Sequence, residues 1–252
     1  MQALPTMSQS KSHFSAGADF LLSAIVLAGV TSLLGAAAAA WLELGTDYLL
    51  RSIAGFCAAS AVVGLLMIKA PGPQGFGAAN RITLLRVALV ALIAAAIGEM
   101  PTNALSWVII TVVIVTLILD GFDGQIARRT QTSSAFGARF DMESDAALIL
   151  VLSALCWWFD KAGIWILAAG GMRYGFVLAA QYLRWMREPL PQSRRRQTIC
   201  ILQSSFLLGV LSPLFPYPVS EFLAAGTLVM LGASFAIDIR WLWERHRAPL
   251  IA

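Results

Sequence analysis

The chain is short of charge. Its 252 residues hold only 18 Lys and Arg and 14 Asp and Glu, so 13% of positions are charged, against about 25% in an ordinary globular domain. With 58% hydrophobic residues and a mean hydropathy of +0.75, a soluble enzyme is excluded, and the apolar runs leave no stretch for a soluble domain. Cysteine is scarce as well. Cys57, Cys156 and Cys200 lie in separate apolar runs, which excludes a disulfide framework or a cysteine zinc site and leaves them as small buried hydrophobes. The two histidines, His13 and His246, sit in polar tails, so a histidine-centred mechanism is not expected. No internal repeat of solenoid length is evident, and no nucleic-acid partner is expected.

What is abundant is apolar sequence in blocks. A bilayer core about 30 Å thick needs roughly 20 apolar residues of helix. Eight blocks approach that length: Ala18–Trp41, Leu49–Ile68, Ile82–Ile97, Leu105–Asp120, Met142–Phe159, Ile164–Leu183, Thr198–Phe215 and Glu221–Trp241. The third and fourth are short and are expected to continue as helix beyond their apolar part. The fold expected is an all-α, polytopic membrane helix bundle. "LLGAAAAAW" imitates a signal-peptidase site, but its apolar stretch exceeds the roughly 7–15 residues of a signal core, so the first helix is expected to be retained.

Charge placement orients the bundle. With the N-terminus inside, fifteen Lys and Arg, from Lys11 to Arg247 and including Arg81 and Arg86, fall on one side. Arg51 and Lys161 fall on the other, and Arg173 lies within a span. Positive residues mark the cytoplasmic face, and a bacterial inner membrane is the expected location. Trp41, Tyr48, Trp185, Tyr217, Trp241 and Trp243 lie near span ends as interfacial anchors. The expected organisation is a polar tail over 1–17, read as disordered, then a two-helix extension over 18–69. A Pro/Gly linker over 70–80, "APGPQGFGAAN", follows. A six-helix catalytic membrane domain over 81–247 completes the chain.

Against this scarcity, five of the fourteen acidic residues crowd between Asp120 and Asp145: Asp120, Asp123, Asp141, Glu143 and Asp145. Asp120 and Asp123 are three apart, Asp141 and Asp145 four apart, so each pair shares a helix face. Arg129 to Ala138 is polar and contains Gly137, a turn that folds the second pair back onto the first. Four converging carboxylates repel unless a cation neutralises them. Oxygen donors without His or Cys favour Mg²⁺ or Mn²⁺, and a pair of such ions is a recurring means of gripping phosphate oxygens. Gly124 and Ala127 keep one face open, Arg128 offers a forked donor pair, and Ser134 adds a hydroxyl. Glu143 is two positions from Asp141 and points away from the cluster.

Asp120-x2-Asp123-Gly124-x2-Ala127-Arg128-x8-Gly137-x3-Asp141-x3-Asp145 resembles, at every defined position, the signature of the CDP-alcohol phosphotransferases. The family core is six membrane helices with the signature across the second and third, which maps onto Arg81–Trp241, and the two N-terminal helices lie outside it. The resemblance implies that Asp120, Asp123 and Asp141 bind two divalent ions, with Asp145 closing the second site and serving as the base for the acceptor hydroxyl. It implies that Gly124, Arg128 and Ser134 hold the cytidine diphosphate. "ANRITLLR" (Ala79–Arg86) resembles the polar start of the family's first helix, where Asn80 and Thr83 would face the nucleotide. Met142 and Glu143 stand where the phosphatidylglycerophosphate synthase branch carries a Pro-containing run, a departure from that branch.

The activity so implied is metal-dependent transfer from a CDP-activated lipid, foremost CDP-diacylglycerol, to an alcohol, with release of CMP, in phospholipid biosynthesis. Transfer of a CDP-borne head group to a lipid hydroxyl is the alternative direction. Arg173, inside an apolar span, is a functional candidate because an unpaired intramembrane charge is costly. Arg194, Arg195 and Arg196 either anchor to anionic lipid or, with Arg173, bind the phosphate of a phosphorylated acceptor. The acceptor itself is left open, and a homodimer is compatible with the sequence. Two other classes stand as rivals. An intramembrane prenyltransferase would need a second Asp-rich block, whereas one compact block is present. A cation transporter would place ionisable groups near mid-membrane in repeated halves, and it would not release CMP from a CDP-lipid.

Overall fold

The computed structural model describes residues 7–69, 76–130, 134–188 and 193–247. Among them are eight α-helices and no strand: α1 (Met7–Leu42), α2 (Thr46–Lys69), α3 (Ala78–Ala95), α4 (Asn103–Thr130), α5 (Ala135–Trp158), α6 (Leu167–Tyr182), α7 (Arg194–Leu211) and α8 (Val219–Arg247). Each apolar block has become a helix, and the bundle is all-α as expected. α4 does continue past Asp120, to Thr130. Three boundaries differ from expectation. α5 begins at Ala135, before Met142, so residues 135–138 of the segment read as a turn are helix. α1 begins at Met7, so helix reaches into the tail read as disordered. α3 begins at Ala78, which moves Asn80 from the linker to the helix's first turn. Linker residues 70–75 and tail residues 1–6 lie outside the described residues.

Five helices are long and apolar enough to cross a bilayer: Ala16–Leu42, Thr46–Ile68, Ala78–Ala95, Asn103–Phe122 and Val219–Arg247. The other three fall short for identifiable reasons. α5 carries Arg139, Asp141, Glu143 and Asp145 in its first half. α6 has 16 residues, about 24 Å at 1.5 Å per residue. α7 opens on three arginines, and its apolar part is Thr198–Leu211.

The chain divides into two compact units, Met1–Asp145 and Ala146–Ala252. In the first, α3 is the inner helix: eleven of its eighteen residues are buried, as expected of a helix that is apolar all round. α1 is its opposite. Leu21, Leu22, Ile25 and Leu33 are all exposed, the surface a lipid-facing helix presents. Phe20, Phe56, Val63, Leu84, Ala88, Ala91, Phe136 and Phe140 form one apolar core joining α1, α2, α3 and the start of α5. At the opposite end of α3, Arg51 of α2 pairs with Glu99 and donates to the Ile97 carbonyl. The Gly45 N–H donates to the same Glu99 carboxylate at 3.0 Å, and Tyr48 Oη donates to the Leu92 carbonyl at 3.1 Å. These contacts fix both ends of α3 against the two N-terminal helices.

In the second unit, the later part of α5 packs on α6 so closely that a Cβ at Gly170 would lie 2.6 Å from Leu150 Cα. Phe176 of α6 meets Phe235 of α8 with ring centroids 5.6 Å apart. Buried Leu207, Val210 and Leu211 of α7 and Ala224 and Leu231 of α8 supply apolar packing.

Candidate metal centre

The first unit brings Asp120 of α4 together with Asp141 and Asp145 of α5. One carboxylate oxygen from each lies within 4.8 Å of the others. The local cause is helical spacing. Asp141 and Asp145, four apart, occupy one face of α5, and that face meets Asp120 of α4. Ser134 precedes the first residue of α5, and its Oγ accepts the Gly137 N–H at 2.9 Å. That is the N-cap arrangement, in which a hydroxyl satisfies an otherwise orphan donor of the first turn. It fixes where α5 starts, and so where the two aspartates point.

Glycine at 137 has a steric reason. A Cβ there would lie 2.8 Å from Asn80 Oδ1 and 3.2 Å from Ser134 Oγ, so a side chain at 137 would have to displace the Asn80 amide. Asn80 and Ser134, both expected near the nucleotide, therefore lie on either side of Gly137. Thr83, one turn after Asn80, is buried, with Oγ1 donating to the Ala79 carbonyl at 3.1 Å. Asp123, Gly124 and Arg128 lie on α4, and their side chains are outside the described residues.

The largest addition to the expected site is Arg86. Its guanidinium Nη1 lies 2.8 Å from Asp120 Oδ1 and also bonds Asp141 Oδ1, while Nη2 bonds Asp145 Oδ1. The Arg86 side chain is 1% exposed, whereas those of Asp120, Asp141 and Asp145 are 37, 39 and 31% exposed. The arginine thus forms the floor of the cluster, and the carboxylates open away from it. Sequence alone assigns Arg86 only a side of the membrane; the structure adds that it is buried against the carboxylates rather than displayed to solvent. Its signal was present, since Asn80, Thr83 and Arg86 recur every three residues along one stripe of α3 and all three are buried.

A buried arginine carries a single charge and faces three carboxylates, so the cluster retains an excess of negative charge. Burying like charges together is unfavourable without a compensating cation. Half-open carboxylate oxygens with no imidazole or thiolate in the group fit a hard divalent ion, Mg²⁺ or Mn²⁺, better than zinc.

In the second unit, Arg195 of α7 donates from Nη1 to the Ser234 carbonyl at 3.0 Å and to Ser234 Oγ at 2.8 Å. Its Nη2 lies 2.5 Å from Asp238 Oδ1, and Arg196 Nη1 lies 3.7 Å from Asp238 Oδ2. Asp238 went unnoticed in the sequence because it is one acidic residue in an apolar helix, and its partners lie some forty positions earlier in α7. Arg173 is half-buried on α6. Arg194 begins α7, and its side chain is outside the described residues.

No solved structure matches the chain. A curated relative, the CDP-diacylglycerol–serine O-phosphatidyltransferase of Helicobacter pylori (strain J99), is 27% identical over 147 residues, which is 51% of this chain and 58% of the relative. The match therefore spans little more than half the length of that protein. A family model described as CDP-alcohol phosphatidyltransferase matches residues 76–237, a range that contains α3 with Asn80 and Arg86, the whole carboxylate cluster, and Asp238's partners Arg195 and Arg196. With most of its length inside that match, the chain belongs to the CDP-alcohol phosphatidyltransferase family.

Proposed function

We propose that the protein is a membrane-embedded transferase that moves a phosphatidyl group from a CDP-activated lipid, foremost CDP-diacylglycerol, to an alcohol, releasing CMP in phospholipid biosynthesis. The observation that carries this reading is the convergence of Asp120, Asp141 and Asp145 within 4.8 Å inside the family signature. In this reading Asp120, Asp123, Asp141 and Asp145 hold two Mg²⁺ or Mn²⁺ ions. When bound, the ions draw electron density from the pyrophosphate oxygens and stabilise the departing CMP.

The chain's own residues do the rest. Asn80, Thr83, Gly124, Arg128 and Ser134 hold the cytidine diphosphate. Asp145 takes the proton from the acceptor hydroxyl, whose oxygen forms the new bond to the phosphorus that carries the lipid. The bond from that phosphorus to the CMP oxygen breaks, and CMP leaves with the bonding pair. The positive-inside pattern supports a cytoplasmic-facing site, and a bacterial inner membrane is the location proposed with it.

The arginines at the head of α7 suit an acceptor bearing an anionic group, and two acceptor classes meet that description. A phosphorylated alcohol such as glycerol 3-phosphate or inositol phosphate would engage Arg173, Arg194, Arg195 or Arg196 through its phosphate. An amino alcohol with a carboxylate, serine, is favoured by the name of the Helicobacter relative and by Asp238, which sits beside Arg195 and could meet an ammonium group. The deciding experiment incubates the purified chain with CDP-diacylglycerol and a panel of labelled alcohols. Metal-dependent CMP release with incorporation of one alcohol into lipid supports the reading. Absence of CMP release with every alcohol, together with label transfer from a CDP-head group to a lipid hydroxyl, supports the alternative direction.

A further inference from the structure

Arg86 presents a physical difficulty if the cluster exists only to hold metal. A cation already lies against one oxygen of each of Asp120, Asp141 and Asp145, and a second cation entering the same cluster is repelled by it. Yet α3 gives Arg86 nowhere else to go. Its side chain is 1% exposed, Leu84 and Ala88 on the same helix are buried, and the next turns of α3 are almost wholly apolar. Swinging the guanidinium into that apolar packing would strand a charge in a low-dielectric interior. The arginine is therefore a fixed part of the site, whether or not an ion is present.

We propose that Arg86 is a positioning residue that serves as a built-in counter-cation: it holds the three carboxylates together before metal arrives and weakens their grip on divalent ions. Without it, three negative side chains on α4 and α5 would push apart in the metal-free protein. With it, the carboxylates stay converged, but each incoming ion meets one positive charge at contact range. Such a charge is worth at least about tenfold in affinity at the effective dielectric of a protein. The forked donor geometry of arginine suits this task, since two nitrogens reach carboxylates on two different helices at once. A weak, exchangeable hold on the ions then follows from one side chain. The inference rests on the metal-dependent reading above.

The test uses the full chain, purified in Mg²⁺, and reads thermal unfolding after chelation and during Mg²⁺ titration, with no substrate present. In Arg86→Gln the unfolding midpoint in chelator should fall below wild type. The Mg²⁺-induced rise should be larger than in wild type, and the Mg²⁺ concentration giving half of it should drop about tenfold. Arg86→Lys keeps the charge but not the fork, and its half-rise concentration should stay close to wild type. If Arg86→Gln survives only in Mg²⁺ and unfolds on chelation while wild type remains folded, the proposal is supported. A half-rise concentration in Arg86→Gln equal to or above that of wild type overturns it, as does a Lys variant that behaves like the Gln variant. A wild type with no Mg²⁺-induced rise removes the metal reading itself, an outcome distinguishable from the first because it appears before any variant is made.

Discussion

Two charge clusters invite comparison because they are built from the same parts in inverse proportion. In the first unit one arginine, Arg86, is shared by Asp120, Asp141 and Asp145. In the second, Arg195 and Arg196 share one carboxylate, Asp238. Both use helix-borne side chains, and both would be costly in an apolar bundle if left uncompensated. The first retains surplus negative charge and the second surplus positive charge. In the proposed function the sign of the surplus matches the ligand each would recruit: cations in the first, the anionic group of an acceptor in the second. Carboxylates alone would not say this, since a balanced ion pair is as compatible with structure as with function.

The largest effect should come from removing cluster charge. Asp120→Asn, Asp123→Asn and Asp141→Asn should each lower CMP release at least about a hundredfold, the upper range for losing even an outer support of a metal ligand, while the protein still inserts and folds. Measurement of CMP release and of the folded fraction by size-exclusion chromatography checks this. More than about a tenth of wild-type activity retained in all three would break the cation side of the comparison.

Next is the anion side. Arg195→Ala should raise the acceptor KM by roughly ten- to a hundredfold, the value of one charge-assisted hydrogen bond of about 1.5–3 kcal/mol, and leave the KM for CDP-lipid nearly unchanged. If Arg173, Arg194, Arg195 and Arg196 can each be replaced by alanine with normal acceptor KM, an acceptor without an anionic group becomes the better reading. A smaller change should follow Gly137→Ala. Its Cβ must displace Asn80 Oδ1, which lies 2.8 Å from that position, and the KM for CDP-lipid should rise severalfold, on the order of 1 kcal/mol.

Gly170→Ala sharpens the comparison by touching neither cluster. A Cβ 2.6 Å from the Leu150 backbone overpacks α5 against α6 and should cost about 1–3 kcal/mol of stability, read as a lower unfolding midpoint. The Mg²⁺ concentration for half-maximal CMP release should not move. A shift there would mean that packing in the second unit feeds into the cation site.

Legibility in the sequence followed how local each signal was. The eight helices were readable because each contains an apolar run, five of them long enough to cross a bilayer. Asp120, Asp141 and Asp145 were readable because a spacing of four puts Asp141 and Asp145 on one helix face and few residues separate α4 from α5. The pairing of Arg86 with the cluster was missed because Asp141 and Asp145 lie 55 and 59 positions away, beyond the reach of the stripe it forms with Asn80 and Thr83. Its burial comes from α1, α2 and α4 packing around it, which is tertiary information. Asp238 was missed for a related reason: the ion pair to Arg195 spans 43 positions, and neither residue has a local pattern that points to the other. The start of α1 at Met7 was missed because a polar segment carries no apolar period, yet it can extend a helix that is already nucleated.

The central claim, that the carboxylate cluster works by holding divalent ions, is tested most directly by metal dependence of the reaction. The purified chain is stripped with chelator in detergent micelles containing CDP-diacylglycerol and the accepting alcohol, and CMP release is followed as Mg²⁺ or Mn²⁺ is returned. The account predicts no release in chelator, full recovery with either ion, and no recovery in Asp141→Asn at the same concentrations. Undiminished CMP release in metal-free buffer would contradict it.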